Sequence, residues 1–464
     1  MLKKSLLILA ALVAVFQSQA APVDVSVAKS KAKQYLASMV YAGKIMAPGA
    51  TEPVLIKTEM GKVNQEVPVF YIFNTSTTFV VVSADDRAEE VLVVGDKPLS
   101  LDCIPDGLKD VLSCYTEEID WLISNPDAQV EKPVSLKAPG AKAVTYGPLL
   151  TCNWSQTAPY YNQCKFTYNN QTYQCLTGCP ATSASMVMYY WKWPTAQVGP
   201  LQGYTGFIRI DSSPSVSFTY DSLSATTFDW ANMKDKYVIG YNGTEYTYDY
   251  TEDQAEAVAT LMRYVGHAEH IKYGTSGSAL SSGEVDNIVE MFTCFGYDSS
   301  TCRLVKKISD NYNDNDTSYS DTSWAKLIQN EMAARRPIVY IADDSTKVGY
   351  GHAFNIDGYR DSDNKYHANF GWGGVGNAWF TINSFSGNTF NYCKHPKAVI
   401  GIQPKILGDV NGDREVNIAD INAIIDIILS GNTSSPNYGR ADVNGDGEVN
   451  IADLNAIIDI ILRN

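Results

Sequence analysis

The chain has 464 residues, of which 45% are apolar and 19% charged; at roughly 150 residues per domain this is about three domains' worth of ordinary globular composition, and it excludes a largely disordered chain. Thirty-six basic residues against 51 acidic ones give a net charge of -15, which excludes a broad electrostatic footprint for nucleic acid. The acidity is uneven, because residues 406–464 hold 10 acidic and 3 basic residues and so carry -7 of the -15.

In chain order, Lys3 and Lys4 precede an apolar run from Leu6 to Phe16, and Ser18-Gln19-Ala20 follows. Basic, apolar and small residues in that order predict a secretory signal peptide over residues 1–20, cleaved after Ala20. The apolar run is too short to span a bilayer and no later segment is longer, so a secreted chain with no membrane span is expected. Residues 21–143 then read as a small α+β unit and its linker. A helical pattern near Ala28 to Met39 precedes strand-like runs Val69 to Phe73, Phe79 to Ser83 and Val91 to Val94, with a second helical pattern at Leu108 to Leu122. Glu131 to Ala143, rich in Pro, Lys, Ala and Gly, has the composition of an exposed, nickable linker.

Residues 144–404 begin with loops and helices and end in short strand candidates, Ile338 to Ala342, His352 to Tyr359, Tyr366 to Phe370 and Ala378 to Asn383, which predict an antiparallel sheet. Residues 405–464 contain an internal repeat: Asp409-Val410-Asn411-Gly412-Asp413 recurs as Asp442-Val443-Asn444-Gly445-Asp446, each copy followed by an Ile-rich helix. The nine cysteines include at least one unpaired thiol. Setting Cys179 aside leaves Cys103 and Cys114 in the N-terminal segment and Cys152, Cys164, Cys175, Cys294, Cys302 and Cys393 beyond it; both subsets are even, so disulfides are permitted and their connectivity stays open.

Cys179 lies in Thr177-Gly178-Cys179-Pro180, directly before an apolar stretch that ends at Trp193-Pro194. Pro180 suits a first helical turn, so Cys179 is expected at a helix N-terminus, where the dipole and unpaired N–H groups favour the thiolate. A thiolate nucleophile needs an imidazole partner. Of the five histidines, His352 follows Gly351 and opens a strand, with Asn369 on the next strand placed to orient its ring, while His367 has the same alternation and competes with it.

Taken together, Trp154-Ser155-Gln156, Pro159-Tyr160-Tyr161-Asn162, Thr177-Gly178-Cys179, Tyr273-Gly274, Gly277-Ser278-Ala279, Gly351-His352-Ala353-Phe354 and Asn369-Phe370-Gly371-Trp372-Gly373-Gly374 resemble the streptopain family of papain-fold cysteine peptidases. The resemblance implies Cys179 as nucleophile, His352 as general acid/base, Gln156 as an oxyanion donor beside the Cys179 N–H, Asn369 and Trp372 as supports of the imidazole, and Ser278, Ala279 and Gly351 as substrate contacts. Val80 to Arg87 resembles the propeptide of the same family, which implies that residues 21–143 are an inhibitory pro-segment removed at the linker.

In the tail, Asp409, Asn411, Asp413, Asn417 and Asp420, and likewise Asp442, Asn444, Asp446, Asn450 and Asp453, fall at loop positions 1, 3, 5, 9 and 12, with the Glu415 and Glu448 carbonyls at position 7. Hard oxygens at that spacing predict two structural calcium sites. Arg414 stands where such loops usually carry Gly. One helix per loop and Asp at position 12 resemble a type I dockerin, whose partner is a cohesin, although Ile418-Ala419 and Ile451-Ala452 replace the usual Ser/Thr pair.

The fold expected is thus α+β: a papain-like cysteine peptidase domain of helices plus antiparallel sheet, an α+β propeptide and a small all-α calcium-loop domain. The function expected is a secreted cysteine endopeptidase made as a zymogen, acting on protein or peptide substrates without a catalytic cofactor, and either extracellular or associated with the cell surface through a docking partner. Two other readings stay open: an adhesin or docking protein without activity, and an acyltransferase or amidase acting on cell-wall peptides.

Overall fold

The computed structural model describes residues 22–41, 52–128, 143–211, 214–241, 246–307, 318–319, 321–343, 351–381, 394–435 and 437–463. The signal-like residues 1–20, nearly all of the linker, and Cys393 lie outside the described residues.

The N-terminal unit runs α1 (Val25–Tyr41), β1 (Val54–Met60), β2 (Pro68–Asn74), β3 (Phe79–Ser83), β4 (Val91–Gly95) and α2 (Asp106–Ser124). Strands β2 to β4 are near-continuous apolar runs because both their faces are covered. Helix α1 lays Ala28, Ala32 and Leu36 on Tyr71, Phe73, Val80 and Val82. Helix α2 lays Val111, Tyr115 and Ile119 on Phe70, Ile72 and Val81.

The middle block begins with β5 (Thr145–Tyr146), the hairpin β6 (Lys165–Tyr168) and β7 (Gln171–Gln174), and α3 (Cys179–Trp191). It continues through the hairpins β8 (Tyr204–Ile208) with β9 (Val216–Tyr220) and β10 (Val238–Tyr241) with β11 (Tyr246–Tyr248), then α4 (Glu252–Ala268) and α5 (Asn287–Cys294). Next come β12 (Arg303–Lys307), β13 (Ser318–Tyr319), α6 (Asp321–Ala333), β14 (Ile338–Asp343), β15 (Gly351–Arg360), β16 (Lys365–Asn369), β17 (Ala378–Thr381) and β18 (Lys394–Ile400). The tail holds α7 (Ile418–Ser430), α8 (Tyr438–Ala441) and α9 (Ile451–Arg463) around Val410, Ile424, Val443 and Ile457.

The expected antiparallel sheet is present, with one parallel pair, β12–β13, at its end, and it does not stop at the peptidase-like block. Its order is β1-β2-β3-β4-β17-β16-β15-β14-β18-β12-β13, with β5 paired to β15. Strand β4 joins β17 through Gly95–Ala378, Val94–Trp379 and Val93–Phe380. Each unit has an edge strand with unpaired N–H and C=O groups, and pairing the two edges satisfies both. A single apolar core, including Val111 and Tyr115 of α2 with Phe354, Phe370 and Phe380, underlies the join.

Helix α3 passes through the other core, against α4 and the strands β14 and β15, with Pro180 to Tyr189 all buried; burial all round fixes its first residue in space. No disulfide joins any of the eight described cysteines, so the bridges that parity permits among them are not formed. No helix among the described residues is long and apolar enough to cross a membrane.

Candidate active site

Cys179 begins α3. The preceding Gly178 has φ +89, and a Cβ there would stand 2.9 Å from the Ser278 carbonyl oxygen, so this turn requires glycine. The Cys179 Sγ accepts a hydrogen bond from the Ala353 N–H at 3.5 Å, on the residue after His352 at the start of β15. The N-terminus of α3 and the first residues of β15 therefore meet across a cleft of about 710 Å³, lined among others by Cys179, Ala279, Gly351, His352 and Ala353.

The N-terminal unit reaches this point through α2. A Cβ on Gly107 would stand 2.6 Å from the Phe370 ring, so the first turn of α2 lies directly on the sheet. One turn on, the largely buried Asp110 presents Oδ2 to His352 Nε2 at 3.6 Å. Asp110 is a site residue that the sequence does not mark.

Burial pushes the Cys179 thiol up to about 11, and the nearby charges of Glu269 and Asp106 add to the shift. The hydrogen bonds from the Ala353 N–H and from its own backbone N–H act in the opposite direction without overcoming it. The expected preference for the thiolate is therefore not met in this arrangement: desolvation outweighs the helix terminus and favours the neutral thiol.

Gln156 sits beside the Cys179 turn, its carbonyl accepting the Thr177 N–H at 3.3 Å and its side chain half-buried. Asn369 is placed differently from expectation. Its Nδ2 donates to the Cys152 carbonyl at 2.9 Å and its Oδ1 accepts the Gly371 N–H at 3.1 Å, so the carboxamide braces two loops and not the His352 ring. Trp372 is half-buried in the glycine-rich turn that follows, where the Gly373 N–H donates to the Trp154 carbonyl at 2.8 Å. Ser278 does not line the cleft. Its hydroxyl donates to the Leu176 carbonyl at 2.7 Å and accepts the Gly274 N–H at 2.9 Å, tying that loop to the segment before Cys179.

His367 is removed from the competition for the base role. It is buried on β16, with Nδ1 2.5 Å from Asp357 Oδ1 and Nε2 2.9 Å from Asp96 Oδ2. Burial disfavours its charge, but the two carboxylates outweigh burial and hold the imidazolium up to about 10. Asp96 belongs to the N-terminal unit, so His367 clamps that unit to the sheet.

The two tail loops share one hydrogen-bond pattern. Asp420 accepts the N–H groups of Val410, Asn411 and Asn417, and Asp453 those of Val443, Asn444 and Asn450. Asp409 caps the Gly412 N–H as Asp442 caps that of Gly445. Burial and the neighbouring Asp420 charge raise the Asp409 carboxyl. The all-oxygen donor set and the carboxylates crowded within one loop fit a hard cation. Among the described residues no group of three or more His, Cys, Asp or Glu side chains converges on one point. Arg414 has φ +73, and its guanidinium lies 4.6 Å from the Trp191 ring centroid while donating to the Ala334 carbonyl. The residue that replaces the usual loop glycine thus rests the tail on the C-terminal end of α3.

Residues 154–380 match the family model described as the Peptidase C10 family, residues 407–462 that of the dockerin type I domain, and residues 20–119 that of the Spi protease inhibitor. The thiol protease/hemagglutinin PrtT of Porphyromonas gingivalis is 24% identical over 83% of this chain and 42% of its own length, so the chain spans less than half of that relative. Streptopain of Streptococcus pyogenes is 26% identical over 72% of this chain and 80% of its own. A solved fragment of Prevotella intermedia prointerpain A, bearing a Cys-to-Ala mutation, aligns with a TM-score of 0.54 at 26% identity, covering 76% of this chain and 100% of that one.

Proposed function

We propose that the chain, whose residues 154–380 match the peptidase C10 family model and whose residues 407–462 match that of the dockerin type I domain, is a secreted cysteine endopeptidase made as a zymogen. The carrying observation is the seating of Cys179 Sγ at the N-terminus of a buried helix, against the backbone beside His352, in one open cleft. The pro-segment is residues 21–143, the peptidase residues 144–404 and the docking tail residues 405–464, with the signal peptide ending at Ala20.

The thiolate attacks the scissile carbonyl carbon. The Cys179 N–H and the Gln156 carboxamide donate to the oxyanion, and the His352 imidazolium protonates the leaving amine. Water, deprotonated by His352, then attacks the thioester and releases the acid. In the precursor, Asp110 faces His352 and the Asp106 charge raises the Cys179 thiol, and these two residues of α2 are the proposed source of latency. The Spi protease inhibitor match of residues 20–119 supports that role.

Purified signal-less precursor will lose about the first quarter to third of its length at the linker, while Cys179→Ala precursor stays intact, as followed by intact mass and N-terminal sequencing under reducing conditions. Equal cleavage of both would sink self-processing.

Calcium is the ion proposed for the tail loops, giving them structural rigidity. The proposed partner is a cohesin-like protein that reads the face bearing the exposed Ile418 and Ile451. Titration calorimetry on the full chain in the Cys179→Ala background will count two calcium equivalents, falling to one in Asp453→Ala; an unchanged count in that variant would exclude the second loop as a site.

A further inference from the structure

The cleft beside Cys179 carries a charge bias that the catalytic roles do not use. Its described lining includes Arg209, Lys272 and Lys397 and not one Asp or Glu, in a chain whose acidic residues outnumber its basic ones 51 to 36. Lys272 is neutralised from behind, with its Nζ 2.5 Å from Glu284. Arg209 and Lys397 have no ion-pair partner among the described residues.

The two cations stand on opposite walls. On the sheet wall, Ile341 of β14 is directly opposite both Ala353 of β15 and Lys397 of β18. Side chains directly opposite across strands point to the same face. Ala353, whose N–H touches Cys179 Sγ, therefore begins a row that runs through Ile341 to Lys397. Neighbouring strands lie about 4.8 Å apart, so Lys397 is set roughly 10 Å from the reacting sulfur's backbone contact, the span of about three residues of an extended peptide. The next residue in the row is Lys306, directly opposite Lys397. Like charges in that relation cost stability.

On the helical wall, Arg209 follows β8 and is fixed by its backbone, its N–H donating to the Tyr273 carbonyl at 2.9 Å and its carbonyl accepting the Thr275 N–H at 3.0 Å. Between the walls the lining is apolar, with Leu280, Val285, Ile288 and Ile341. Low-dielectric walls around charges of one sign focus the field on whatever occupies the cleft.

We propose that this cleft selects peptide substrates bearing an acidic side chain within about three residues of the scissile bond, read by Arg209 and Lys397 from its two walls. The proposal rests on the peptidase reading and adds the substrate's charge class to it. It also separates these two cations from Lys272, which Glu284 already satisfies.

The test uses the processed enzyme and a set of internally quenched peptides identical except for Glu, Gln or Lys placed in turn at each of the three positions on either side of the cleaved bond. At one position kcat/KM for Glu over Lys will be about tenfold at low salt and will shrink in 0.5 M salt, as screened charges require. The ratio will fall toward one in R209Q/K397Q and invert in R209E/K397E. Each ratio is internal to one preparation, so a loss of folded protein in a variant cancels. Cleavage with no charge discrimination at any position, or discrimination that survives both double variants, overturns the specificity alone. Failure to cleave any peptide overturns the peptidase reading, and the specificity with it.

Discussion

Alkylation of Cys179 by iodoacetamide at pH 7 will accelerate about a hundredfold when the N-terminal unit is removed. In the intact chain, burial pushes the thiol up to about 11, so only about one molecule in 10⁴ carries the thiolate at neutral pH. Removing α2 takes away Asp106, whose charge raises the thiol, and Asp110, which faces His352 Nε2. What remains around the sulfur is the α3 N-terminus, the His352 imidazole and the wholly buried Glu269, whose carboxyl burial pushes up toward its neutral form; a helix terminus and an imidazolium bring cysteine thiols to about 7 or below. The thiolate fraction then rises by more than 10³, while intrinsic nucleophilicity falls with pKa at a Brønsted slope of about 0.4–0.5, which leaves a net gain near 10². The check is site-resolved mass spectrometry of early labelling, read separately on intact precursor and on trimmed chain between pH 5 and 9. Asp110→Ala will move the intact precursor part of the way. Equal rates in precursor and trimmed chain would show that the N-terminal unit does not control the thiol.

The parts of this arrangement differ in how far they can be read from residues alone. The position of Cys179 is legible because it depends on local chemistry: glycine before it, proline after it, then an apolar run long enough for a buried helix. The tail loops are legible for a similar reason, since their oxygen-bearing residues lie within 12 positions and the pattern occurs twice. Asp110 is not legible. It occupies a helix whose other face supplies the core, and its partner comes from a strand brought near only by the tertiary fold. The β4–β17 join is hidden as well, because pairing of two edge strands is a property of backbone groups that every residue carries. Strand β18 carries no strand pattern, because it opens Lys394-His395-Pro396-Lys397 and turns apolar only at Ala398. Asn369 was expected beside His352 from strand adjacency, but its partner in register is Asn355, three residues further along β15.

The two histidines with strand-like surroundings will separate cleanly in a pair of substitutions. His352→Ala in the trimmed enzyme will lower kcat/KM by about 10⁴-fold with little change in the denaturation midpoint, because a cleft-lining imidazole contributes proton transfer and little packing. His367→Ala will do the reverse. Asp357 is wholly buried, and His367 is bonded to it on one side and to Asp96 on the other. Deleting the imidazolium leaves a buried carboxylate without its counter-charge, a loss of about 3–5 kcal/mol. The pH dependence distinguishes this from a packing defect. A histidine held up to about 10 in the folded chain, against about 6.5 unfolded, contributes stability that is fully present below about pH 6.5 and is lost as pH rises through 10. Wild-type precursor, in the Cys179→Ala background so that it stays intact, will therefore lose stability relative to the His367→Ala form between those limits, and urea midpoints at pH 6, 8 and 10 measure the closing gap. A constant gap across that range would mean that His367 is neutral in the clamp. Loss of turnover in His367→Ala with a normal midpoint, beside an active His352→Ala, would move proton transfer from the cleft wall to the sheet interior and overturn the assignment of the site.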